Sequence, residues 1–214
     1  MWEGKSMYNR GKTTIYNGGE IMSRFVSCGK LRCQFGGGFK LPDFLRPKDG
    51  IFRGNITITN DMLDKNGRLV FKLKEVTGRF RCDYINISSL EGAPETVGED
   101  FLCTNNSKVT SLKGAPKTVG GDFWCTNNPK LTSLKGAPET VVKNFWCTDT
   151  NISSLKGAPK TVGEDFWCND TPKLTSLKGA PKTVVKNFYI QNAGRKFTEE
   201  EVRAVCDVKG KVYV

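Results

Sequence analysis

Five cysteines recur at Cys82, Cys103, Cys125, Cys147 and Cys168, in steps of 21 or 22 residues, each two places after a phenylalanine. A thiol can serve as nucleophile, metal ligand or half of a disulfide. Histidine is absent from all 214 residues, so no Cys-His or Ser-His nucleophile can be assembled, nor any zinc site that needs imidazole. Regular recurrence points instead to packing. In-register parallel strands hold equivalent side chains about 4.8 Å apart, whereas a disulfide wants its Cβ atoms at about 3.8 Å. Free, buried thiols are therefore expected, as cysteine packs readily as a small hydrophobe. Cys28 and Cys33 form a C-x4-C pair with no second pair nearby, and structural zinc needs four ligands. No metal and no cofactor are expected.

Carboxylates are the next candidates. Asp100, Asp122 and Asp165 each precede a phenylalanine and alternate with Asn144 and Asn187. Paired carboxylates can hydrolyse a glycoside. These, however, are copies generated by repetition, with no differentiated acid–base pair. The chain is read as a non-enzyme with no catalytic residues. The aromatic residues are more informative. If Phe and Cys of Phe-x-Cys face a core, the residue between them faces solvent. That row reads Arg81, Leu102, Trp124, Trp146, Trp167 and Tyr189. Such a row can stiffen a sheet through cross-strand pairs or anchor an interface. Trp124, Trp146, Trp167 and Tyr189, flanked by Asp122, Asn144 and Asp165, are the expected partner-binding residues.

These residues need a scaffold that places them once per coil. Gly-Ala-Pro begins at Gly92, Gly114, Gly136, Gly157 and Gly179, and a fixed period of this length is the signature of a solenoid. Each unit has a Phe-x-Cys strand and a turn such as Thr126-Asn127-Asn128, whose side-chain amides suit bends. Two leucines such as Leu131 and Leu134 return to the core, a Gly-Ala-Pro corner follows, and a valine such as Val141 re-enters. Degenerate earlier units surround Phe80 with Cys82, and Ile56 with Ile58. Strands stacked in parallel are expected.

Phe145, Cys147, Thr150, Ile152 and Leu155 resemble the leucine-rich-repeat consensus L-x-L-x-x-N-x-L followed by a leucine three residues on, with Thr150 at the asparagine position. The fuller wording S-L-x-G-A-P-x-T-V-x-x-[DN]-F-x-C is similar to a short repeat of tailed-phage and mycoplasma surface proteins. The resemblance covers residues 76–190. It implies a solenoid used for binding and implies no catalytic residues. The arm between strand and corner is too short and Pro/Gly-broken for a helix, so the expected fold is mostly β. It is a leucine-rich-repeat-like solenoid of 21–22-residue coils with a parallel sheet, a small N-terminal β cap and a short C-terminal capping helix.

Residues 1–50 read as a basic N-terminal β cap or contact module, 51–190 as the solenoid and 191–214 as the C-terminal cap. Asn17-Gly18, between Thr13–Tyr16 and Ile21–Phe25, signals a hairpin. Thr198 with Glu201 forms a capping box ahead of a short helix, and Lys211–Val214 offers a last strand. Residues 1–87 carry 16 basic and 8 acidic side chains, out of a net charge of +11. That asymmetry makes nucleic-acid contact through Lys30, Arg32, Lys40 and Arg46 the alternative to protein binding. Glycan binding by a virion component, through stacking on the tryptophans, is a third reading. The leading expectation is a phage-encoded solenoid that binds a host or viral protein. No apolar run approaches the roughly 18 residues of a membrane span, and no signal-peptide core opens the chain. A cytoplasmic setting without membrane contact is therefore expected. The sequence leaves oligomeric state open.

Overall fold

Phe-x-Cys alternates with period two, and the computed structural model shows the outcome. It describes residues 47–214, together with the backbone of two short strands, β1 (Tyr16–Asn17) and β2 (Glu20–Ile21). These two pair antiparallel, so the expected antiparallel pair is present, but Asn17 lies in the strand opposite Glu20 rather than in the turn. Gly36–Gly38, Cys28 and Cys33 lie outside the described residues.

From Ile51 onward the chain winds as a parallel β-solenoid. One sheet contains β4 (Ile56–Thr57), β6 (Phe80–Arg81), β8 (Phe101–Leu102), β10 (Phe123–Trp124), β12 (Phe145–Trp146), β14 (Phe166–Trp167), β16 (Phe188–Tyr189) and β18 (Val212–Tyr213). A second sheet, also eight-stranded, contains β3 (Ile51–Phe52), β5 (Glu75–Val76), β7 (Thr96–Val97), β9 (Thr118–Val119), β11 (Thr140–Val141), β13 (Thr161–Val162), β15 (Thr183–Val184) and β17 (Asp207–Val208). Within the two sheets every strand pairing is parallel and in register, as Phe123 opposite Phe145 and Val141 opposite Val162 show. The sequence reading anticipated one sheet. Each strand of the second buries one residue, Phe52 in β3 and a valine in the others, and two residues carry too little alternation to announce a strand.

A coil therefore has three sides. The two sheets meet at a tight bend such as Gly120-Gly121. The third side runs from the asparagine turn to the Gly-Ala-Pro corner and contains no α-helix, only one 3-10 turn at Asn60–Met62 in the first coil. It too keeps parallel register, through bridges of Ser111 with Ser133 and Ser154 with Ser176. At the corner Gly136 has φ 96°, and a Cβ there would sit 2.5 Å from the Leu112 carbonyl oxygen. Glycine alone fits that close approach without strain. The asparagine turn also visits the left-handed region, at Asn105, Asn127, Asp149, Asp170 and Asn192, the non-glycine types that tolerate it best.

The core is a column of stacked rows. Phe80, Phe101, Phe123, Phe145, Phe166 and Phe188 are fully buried, and the cysteine and valine rows beside them are closed to solvent as well. Neighbouring rings from Phe80 to Phe166 stack with centroids 5.0–5.4 Å apart. At the C-terminus, α1 (Glu199–Arg203) begins at the expected capping box, in which the Glu201 amide donates to Thr198 Oγ1 and the Thr198 amide to Glu201 Oε2. Val202 turns inward and β18 closes the first sheet, so helix and strand both cover the final coil.

Candidate functional site

With Phe and Cys inward, the residue between them emerges on the outer face of the first sheet. Trp124, Trp146, Trp167 and Tyr189 are all half-buried there. They are packed against one another. Ring centroids lie 4.6 Å apart for Trp124–Trp146, 4.4 Å for Trp146–Trp167 and 3.5 Å for Trp167–Tyr189, with planes within 9° of parallel. Tyr213 on β18 adds a fifth ring, 4.5 Å from Tyr189. Sequence reasoning missed Tyr213, although Lys-Val-Tyr-Val at 211–214 follows the pattern of Asn-Phe-Tyr-Ile at 187–190.

The geometry decides what the ridge offers. Each inner ring has both π faces against its neighbours, so only edges reach solvent. A sugar or nucleobase that must lie on a ring face finds one only at the ends of the stack. Edges of aromatic rings carry the positive part of the quadrupole, and suit carbonyl oxygens, carboxylates, aliphatic groups and the faces of other rings. The indole N–H groups of Trp146 and Trp167 are buried and have no hydrogen-bond partner.

On one flank, the Asp/Asn row forms a ladder. Asp100 Oδ1 accepts the Asp122 amide at 2.9 Å, Asp122 Oδ1 the Asn144 amide at 3.0 Å, and Asn144 Oδ1 the Asp165 amide at 2.9 Å. Asp165 and Asn187 continue it to Lys211. The alternation of acid and amide has a reason. Asn144 Nδ2 donates to Asp122 Oδ1 at 2.9 Å, and Asn187 Nδ2 to Asp165 Oδ1 at 3.0 Å, so no two carboxylates are adjacent from Asp122 to Asn187. Asp122, Asn144 and Asp165 thus border the ridge, each with Oδ1 committed to the neighbouring coil. Burial and the charge of Asp165 raise the Tyr189 hydroxyl pKa above the ordinary tyrosine value.

Beneath the ridge is a buried polar row at the asparagine turn. Asn128 Nδ2 donates to the carbonyls of Cys103 and Cys125 at 2.8 and 2.9 Å, and its Oδ1 accepts the Asn106 amide at 2.8 Å. In the next two coils Thr150 and Thr171 take the same place, each bonding the carbonyl of the cysteine three residues back. The thiols are free, and those of Cys82, Cys125, Cys147 and Cys168 donate to carbonyls of the following coil at 3.2–3.4 Å. Among the described residues no group of three or more Cys, Asp or Glu is placed to hold a metal ion. Nor is any helix there long and apolar enough to cross a membrane. Lys30, Arg32, Lys40 and Arg46 lie outside the described residues. No family model, curated protein or solved structure matches the chain.

Proposed function

We propose that the protein is a non-catalytic interaction solenoid that binds another protein through its aromatic ridge. The carrying observation is the continuous stack from Trp124 to Tyr213, which presents ring edges along five coils. A preformed surface of this kind loses little entropy on binding. The orphaned indoles add support. A buried N–H without an acceptor costs about 1–3 kcal/mol, so a row kept only for stiffness would gain by carrying phenylalanine. Glycan binding is less well supported, because stacking on a sugar needs ring faces that the stack consumes. The leucine-rich-repeat likeness draws support from Asn106 and Asn128, buried where that consensus has asparagine. A phage origin, a host or viral partner and action in the host cytoplasm rest on the wording of the repeat.

The test compares two double variants against one partner isolated with the intact chain: Trp146→Ala with Trp167→Ala, and Arg32→Ala with Lys40→Ala. Truncating interface anchors costs 2 kcal/mol or more, about thirtyfold in affinity. The tryptophan pair should lose at least that, while its circular dichroism spectrum stays native. If the basic pair abolishes binding and the tryptophan pair retains it, the N-terminal segment is the contact surface and the ridge is scaffold.

A further inference from the structure

Counted along the chain, the repeats look almost neutral, with 12 basic and 10 acidic side chains over residues 88–190. Sorted by side of the coil they do not. On four successive coils the third side comprises residues 107–116, 129–138, 151–159 and 172–181, and holds seven lysines with no aspartate or glutamate, while the coil before them carries Glu91 on this side. The intervening segments 117–128, 139–150 and 160–171, which build both sheets and their corners, hold three lysines against six carboxylates.

The seven lysines form two rows. Lys113, Lys135, Lys156 and Lys178 stand beside the Gly-Ala-Pro corner on four successive coils, and Lys108, Lys130 and Lys173 stand beside the asparagine turn. All are exposed. Only Lys113 has an ion pair among the described residues, 2.9 Å from Glu91 of the preceding coil. Three lysines on the two sheet sides differ, although Lys143 and Lys182 there have no ion pair among the described residues. Lys117 pairs with Glu95, Lys160 with Glu139 and Lys186 with Glu164. Between the two rows run the exposed hydroxyls of Thr110, Thr132, Ser153 and Thr175. Ammonium groups rooted about 4.8 Å apart on stacked coils repel, and among the described residues a carboxylate pairs only with Lys113.

We propose that this side of the solenoid binds the phosphate backbone of a nucleic-acid duplex without reading its sequence. The rows are five positions apart in the chain, at most about 16 Å when extended. Long lysine side chains rooted at that separation can reach the two phosphate strands bounding a groove about 12 Å wide. Lysine and hydroxyl donors between them suit phosphate oxygens, which position a protein on a duplex but carry no base information. Single strands are held by aromatic platforms, and this side has no aromatic residue. Anionic membranes are gripped by large apolar side chains beside the basic ones, and the exposed apolar residues of this side are only Pro129 and Pro172. The aromatic ridge lies on a different side of the coil, so the two surfaces stand or fall separately.

Fluorescence anisotropy of a labelled mixed-sequence duplex, titrated with the full chain from about 50 to 200 mM salt, tests the assignment. Each neutralised phosphate contributes about 0.9 to the slope of log affinity on log salt. Lys135→Gln, Lys156→Gln and Lys178→Gln together should flatten that slope by about 2.7. Lys117→Gln, Lys160→Gln and Lys186→Gln remove the same charge from ion-paired lysines and should change it by less than about one. Absence of duplex binding at the lowest salt overturns the proposal, and so do equal slopes for the two triple variants. It also fails if Lys30→Gln, Arg32→Gln and Lys40→Gln alone abolish binding, or if an unlabelled single strand or phosphatidylserine vesicles compete better than unlabelled duplex.

Discussion

The sulfur of Cys147 lies 3.4 Å from the Trp167 carbonyl, in an interior that excludes water. Burial pushes the thiols of Cys82, Cys125, Cys147 and Cys168 well above their ordinary value of 9.0, and raises the more peripheral Cys206 to about 11. In the unfolded chain the same groups lose protons near pH 8.5. Above that pH the unfolded state binds fewer protons than the native one, so stability is fully present below it and falls as pH rises. Each thiol in that window removes about 1.4 kcal/mol per pH unit. Urea denaturation should therefore give level stability from about pH 7 to 8 and a clear loss by about pH 9.5, before most lysines and tyrosines titrate. Stability unchanged across that interval would contradict a sealed thiol row. The same burial makes native-state alkylation of Cys125 and Cys147 slow, because the thiolate is the reactive form. This much was legible in the sequence, since one residue type repeated beside a strand phenylalanine has a single environment. The left-handed turns were not. Tyr84 occupies the place that asparagine and aspartate take in later coils, at φ 55° and 72% exposed, and nothing local in the sequence marks a bulky residue for that conformation.

At the scale of the element, a two-residue strand cannot hold itself together, and the ladders between coils supply what it lacks. Asn144 shows this most directly. Its amide hydrogen bonds to Asp122 through both backbone and side chain, its Oδ1 serves Asp165, and its Nδ2 also reaches Glu164 at 3.2 Å. Asn144→Asp keeps the acceptor but replaces the donor with charge, setting four carboxylates in line from Asp100 to Asp165. The expected cost is about 2–3 kcal/mol, from a lost charge-assisted hydrogen bond and like-charge repulsion. Chemical denaturation at neutral pH measures it. The deficit should shrink in high salt, where repulsion is screened. An equal deficit under all conditions would mean that packing, not charge, sets the alternation. From sequence alone the Asp/Asn row looked like an outward polar border to a binding face. Its structural duty depends on an amide one coil away, and local pattern does not carry that information. The Phe, Trp and Cys rows, by contrast, were readable because period two separates inside from outside within three residues. Their direction was legible but their mutual stacking was not, and it is the stacking that leaves edges rather than faces for a partner.

For the whole molecule, stability is a sum over neighbouring coils, and the open ends are where such a stack is vulnerable to pairing with another chain. The C-terminal end is closed by one continuous device. Arg195 forks onto Glu201 at 2.9 and 3.1 Å and lies 3.8 Å over the Phe197 ring, while its Nε donates to the Thr175 carbonyl of the last full coil. Val202 and Cys206 then fill the core opening, and Arg203 donates to the carbonyls of Val208 and Gly210, tying the helix to the segment that carries the last two strands. Displacing the helix would therefore also loosen β17 and β18, uncovering the strand edges at Thr183–Val184 and Phe188–Tyr189 together. Val202→Asp places a charge in a fully buried site where no cation is available, and a buried unpaired charge costs several kcal/mol. The stacked core of the coils from Phe80 to Phe166 should survive. Sedimentation velocity should then show concentration-dependent self-association of the variant, with far-UV dichroism close to wild type, as exposed parallel edges recruit further copies. Global unfolding instead would mean that the cap is part of the folding unit rather than a lid on it. A monomeric, native-like variant would mean that β18 holds its place on β16 without the helix, and that Tyr213 owes its position on the ridge to ring stacking and strand pairing alone.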